Sequence, residues 1–114
     1  MYPEDGFVDA IICWENLFSG TPETTLRVCG AMAKLLSPAN NNRRRDVYKN
    51  LSTLYLIRNK IVHGSEADIP EETYRNRDSA IRYAMEALRA IYARDDLLGI
   101  KNSAERGRIV LIGR

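Results

Sequence analysis

The chain's only histidine, His63, stands five positions after Arg58, with Asn59 beside the arginine and Gly64 beside the histidine. Spacing alone decides little. With thirteen arginines in 114 residues, an arginine at that one offset is roughly a one-in-nine accident. Phase says more. Leu51, Leu54 and Arg58 step by three and four, so on a helix the arginine falls on the stripe that faces a core. A guanidinium is almost never buried alone, so Arg58 must face a carboxylate, another subunit or an anionic ligand such as phosphate. Asn59 and His63 are four apart and share a helix face, with Tyr55 one turn earlier. Arg58 flanks that face and is long enough to converge on it.

Each of these side chains also has a plainer reading. His63 next to Gly64 fits a histidine favoured by the negative end of a helix dipole. Arg58 fits a structural pair with Glu15 of the first helix, and such a pair is compatible with function, since an acid that holds the arginine in place supports it. Arg43, Arg44 and Arg45 precede the third helix, where the dipole disfavours positive charge; they suit either phosphate contacts or a solvated loop. Arg75, Arg82 and Arg89 recur every seven residues and could line an RNA groove, although Arg82 with Glu86 also reads as an ordinary surface pair. Tyr48 and Tyr55 could stack on bases, or lie in the core or a dimer interface.

The elements that must position these residues are helical. Phe7, Val8, Ile11, Ile12, Cys13, Leu17 and Phe18 give an apolar face to a first helix from about Asp5 to Phe18, ended by Ser19-Gly20. Thr21-Pro22-Glu23 opens a second, with Leu26, Cys29, Ala33 and Leu36 at helical spacing and a stop at Ser37-Pro38. Ala39 to Asn42 reads as a loop. A third helix runs from about Arg44 to His63 through Val47, Leu51, Leu54, Ile57 and Ile61, with Gly64 suited to a left-handed cap. After a loop from Ser65 to Ile69, Pro70-Glu71-Glu72 opens a fourth, carried to about Arg94 by Tyr74, Ile81, Met85, Leu88 and Tyr92. The expectation is an all-α chain: a four-helix up-and-down bundle over residues 1–94 with a short irregular C-terminal tail over 95–114. In that tail the apolar run Ile109-Val110-Leu111-Ile112 could be a strand, a docking segment, part of the same domain or the start of something truncated.

The totals narrow the field of functions. Hydrophobic residues make up 45% and charged residues 28% of the chain, ordinary globular usage that supports one core and not a disordered chain. The net charge of +2 gives no global basic field, so nucleic-acid binding would have to come from local patches. Cys13 and Cys29 lack the close spacing of a zinc site or redox pair and read as reduced core residues. The acidic start Met1-Tyr2-Pro3-Glu4-Asp5 is unlike a signal peptide, and no apolar run approaches about 20 residues. A soluble, cytoplasmic protein with no membrane, metal or cofactor is expected.

The stretch Leu54-Tyr55-Leu56-Ile57-Arg58-Asn59-Lys60-Ile61-Val62-His63-Gly64 resembles the signature of HEPN domains. In that family an arginine, usually followed by a polar residue, precedes a histidine by four to six intervening positions. With Trp14-Glu15-Asn16-Leu17-Phe18 and Leu26-Arg27-Val28-Cys29 ahead of it, the chain is similar to the Apea-like branch over roughly residues 7–94. The resemblance implies a homodimer paired through its third and fourth helices, with two Arg-His motifs in one cleft. It also implies a metal-independent endoribonuclease of defence, toxin or RNA-processing systems, or else a non-catalytic dimerisation, RNA-binding or nucleotide-binding module. An antitoxin or a larger host protein belongs among the partners it allows. Carried onto this sequence, Arg58 stabilises charge on the scissile phosphate, His63 transfers protons or activates the 2′-hydroxyl, and Asn59 orients His63 or a phosphate oxygen. One departure is Ser65, which stands where the toxin branch carries a tyrosine that is modified to silence it.

Overall fold

The computed structural model describes residues 3–18, 24–62 and 70–113, and all the regular structure among them is helical. The first helix, α1 (Pro3–Phe18), starts two residues before the expected Asp5. Proline suits a first helical position, and Glu4 and Asp5 place negative charge in the first turn. Phe7, Ile11, Trp14 and Phe18 recur at helical spacing and are fully buried. The second helix, α2 (Thr24–Leu36), buries Val28, Cys29, Ala31, Met32, Ala33 and Leu35, more than one face, because it packs against α1, the third and fourth helices and a helix from the C-terminal segment. Its expected opening at Thr21-Pro22 lies outside the described residues.

The third helix, α3 (Asn41–Val62), begins three residues earlier than expected, so the loop taken to reach Asn42 ends at Asn40. The cause is a cap: Asn40 Oδ1 accepts the backbone N–H of Arg43 at 3.0 Å. The end of α2 is closed by a side chain of α3, since Arg44 Nε donates to Ser37 O at 3.0 Å and Arg44 Nη2 to Pro38 O at 2.5 Å. Carbonyls left over at a helix end need such donors.

The fourth helix, α4 (Pro70–Tyr92), carries a correction. The residues expected to face the core include Tyr74, Ile81, Met85 and Tyr92, and all four are exposed, Tyr92 at 70%. The buried face is Thr73, Ala80, Tyr83, Ala84, Ala87 and Ile91, about a third of a turn away. Three alanines let the backbone of α4 come close to α1, and there Trp14 Nε1 donates to the carbonyl of Ala80 at 3.1 Å. The Trp14 ring meets Tyr83 edge-on, with centroids 6.3 Å apart.

The expected irregular tail is helical as well. A single-turn helix, α5 (Asp95–Leu98), is followed by α6 (Ser103–Ile112). Asn102 caps α6 by accepting the N–H of Glu105 at 3.0 Å. Four consecutive apolar residues hid the helical period, yet Ile109 and Val110 are buried in the same core cluster as Trp14, while Ile112 is 81% exposed. The helix rests on α1 and α2. Arg106 ties it to α1, donating through Nε to Leu17 O at 2.9 Å and through Nη2 to Asn16 O at 2.8 Å, with a further bond to Ile100 O. Among the described residues no helix is long and apolar enough to cross a membrane.

Candidate functional site

On α3, Leu51 and Leu54 are buried and Arg58 follows on their stripe, its side chain 21% exposed. The partner that this position demands is Glu15 of α1. Arg58 Nη2 lies 3.1 Å from Glu15 Oε1, and the Tyr55 hydroxyl donates to Glu15 Oε2 at 2.8 Å. One carboxylate therefore binds a guanidinium and a phenol that sit on one side of α3. Arg58 Nη1 donates to Asn59 Oδ1 at 3.2 Å, and its Cζ stands 5.7 Å from the centre of the Tyr55 ring. Arg58 Nε is buried and has no hydrogen-bond partner among the described residues. Among the described residues two of the five guanidinium N–H donors are engaged, one on each Nη.

Burial pushes the Tyr55 phenol above its ordinary range, and its bond to Glu15 adds to the shift. The hydroxyl stays protonated and keeps donating. Tyr55 is 4% exposed, which removes it as a surface on which a base could stack. No family model, curated protein or solved structure matches the chain. The reading of the site therefore rests on its own geometry and chemistry.

The remaining expected site residues divide. His63 lies outside the described residues, as do Gly64 and Ser65. Arg43, Arg44 and Arg45 sit at the other end of α3, and Arg45 is roughly 20 Å along the axis from Arg58 at 1.5 Å per residue. The structure does not bring them to Arg58. Arg44 is occupied by the carbonyls at the end of α2, whereas Arg43 and Arg45 are exposed. Arg75, Arg82 and Arg89 are exposed on α4, and Arg82 lies over the Tyr83 ring at 5.6 Å. Cys29 is fully buried and its thiol is pushed up to about 12 by desolvation, which makes it inert. No cluster of metal-ligating side chains occurs among the described residues.

Two cavities escaped the sequence reading. One, of about 230 Å³, lies between α3 and α4 and is lined by Asn50, Thr53, Leu54, Ser79, Arg82 and Tyr83. There Asn50 Nδ2 donates to the Tyr83 hydroxyl at 3.3 Å. The other, also about 230 Å³, lies between α2 and α3 beside Gly30, Ala33, Arg44, Arg45 and Tyr48. A glycine in mid-helix, one turn before an alanine, was the available signal for the second.

Proposed function

We propose that the chain is a HEPN-type domain, with α1 to α4 as its up-and-down bundle, that binds and cleaves RNA in the cytoplasm as a homodimer. The observation that carries this reading is the Arg58 guanidinium, held by Glu15 and Asn59 at the end of the helix that leads into His63. Its remaining donors suit a phosphate oxygen, and its fixed position means that little reorganisation is needed as charge grows there. One His63 takes the proton from a 2′-hydroxyl, whose oxygen attacks phosphorus. The bond to the 5′-oxygen breaks, and that oxygen takes a proton from His63 of the partner subunit. The products are a 2′,3′-cyclic phosphate and a 5′-hydroxyl.

A single imidazole cannot easily serve as base and acid in one step, so two copies are required. Exposed apolar side chains on α3 and α4, Leu56 and the row Tyr74, Ile81, Met85 and Tyr92, supply surface of the kind that subunits cover. An antitoxin or a larger defence protein competes for the same surface.

The test is cleavage of single-stranded RNA with EDTA present. Arg58→Ala and His63→Ala should each lower the rate roughly 10²–10³-fold while folding and self-association persist. Absence of cutting by the unaltered protein on any RNA rejects the enzyme. A second reading is a non-catalytic dimerisation or RNA-binding module. What favours it is that Glu15 already offsets the charge of Arg58.

A further inference from the structure

The cavity between α2 and α3 has a composition that selects its ligand. Gly30 and Ala33 contribute almost no side chain to it, so its floor is backbone and one methyl group. Tyr48, half-buried, contributes an aromatic surface, and the stem of Arg44 is fixed because its head is bonded to Ser37 O and Pro38 O. Arg45 also lines the space, is exposed, and has no ion-pair partner among the described residues. A volume of about 230 Å³ is below the usual range of roughly 300–1,000 Å³ for a multi-ring ligand. An occupant must therefore be small, must offer an apolar face, and is favoured if it carries a negative charge at the mouth.

We infer that this cavity is a base-stacking subsite for single-stranded RNA: an unpaired base lies against Tyr48 over Gly30 and Ala33, and its phosphate meets Arg45. The inference rests on the proposal that the chain binds RNA. Bases splayed from a strand stack on aromatic and guanidinium planes, whereas a base held in a duplex cannot enter. Tyr48 and Arg58 are ten residues apart on α3, so the subsite lies roughly 15 Å along the helix from the Arg58 guanidinium, about the length of four to five stacked nucleotides. A strand seated here reaches Arg58 with a phosphate downstream of the held base. Arg45, which the Arg58 geometry leaves unused, thus acquires a role.

The test uses a short fluorescein-labelled 2′-O-methyl RNA, which cannot be cut by attack of its own 2′-oxygen, and its duplex. The unaltered protein should bind the single strand more tightly than the duplex. Tyr48→Leu removes the aromatic face at a half-buried position, and Arg45→Gln removes the charge at an exposed one, so both variants should fold. Tyr48→Leu should raise Kd roughly tenfold. Arg45→Gln should reduce the slope of log Kd against log salt by about one. Equal affinity for strand and duplex, or an unchanged Kd in Tyr48→Leu, overturns the subsite. The cleavage reading fails separately: tight strand binding without cutting of ordinary RNA removes the nuclease and leaves the subsite, while cutting with an indifferent Tyr48→Leu does the reverse.

Discussion

Glu15 serves two donors from a different helix, and its removal is more informative than removal of either donor. Glu15→Gln keeps the shape but replaces a charged acceptor of Arg58 and Tyr55 with a neutral one. The expected loss is about 1–2 kcal/mol of folding stability, the scale of a charge-assisted hydrogen bond that is partly open to water, read from denaturant midpoints. The pair was legible because Arg58 is in phase with Leu51 and Leu54, and such an arginine implies an acid nearby. Two buried acids set the behaviour at high pH. The folded chain holds Cys29 and Tyr55 protonated above their ordinary values of 9.0 and 10.0. Raised values mean that their contribution is intact below pH 9 and lost as pH climbs, since only the unfolded chain then releases the protons. Thermal midpoints followed by the fluorescence of the single tryptophan should fall steeply above pH 9. Cys29→Ala should lessen the accompanying loss of unfolding free energy by about 1.4 kcal/mol per pH unit, and an unchanged slope would show that the thiol is not the titrating group.

Helix positions were readable from period and caps, but which face of a helix turns inward was not always so. On α4 the bulky stripe Tyr74, Ile81, Met85 and Tyr92 outweighs the alanines in any hydrophobic count, yet the alanines are inside. Closeness of approach decided it: with Ala80, Ala84 and Ala87 against α1, Trp14 can pack fully and satisfy its indole N–H on a backbone carbonyl. In α6 the signal failed for another reason, because a run of four apolar residues shows no period and Gly107 looks like a breaker. In the fold Gly107 is buried, with the Phe18 carbonyl 3.8 Å from where a Cβ would stand. The attachment of α6 gives a measurable expectation. Arg106→Ala removes the donors to Asn16, Leu17 and Ile100 carbonyls and should cost about 1–2 kcal/mol, with α6 amides exchanging hydrogen faster than those of α3. Uniform exchange across both helices would mean that the arginine does not hold α6 in place.

At the scale of the whole molecule, what the core does not use becomes available to others. The exposed row on α4 lies on the flank away from Tyr83, and Leu56 adds an apolar side chain on α3. Met85→Glu places a charge in the middle of that row without touching the core. If this row is the subunit face of the proposed dimer, sedimentation velocity should show self-association weakened roughly tenfold or more. A dimer indifferent to this change would have to be built on another face. The clamp between α6 and α1 joins distant parts of the chain and so forms late in synthesis. Arg106 and Leu17 are 89 residues apart, so at ordinary ribosomal speed the arginine is added roughly 4–18 s after the carbonyl it serves. Until residues 103–112 have emerged, the C-terminal turn of α1 waits without its lock.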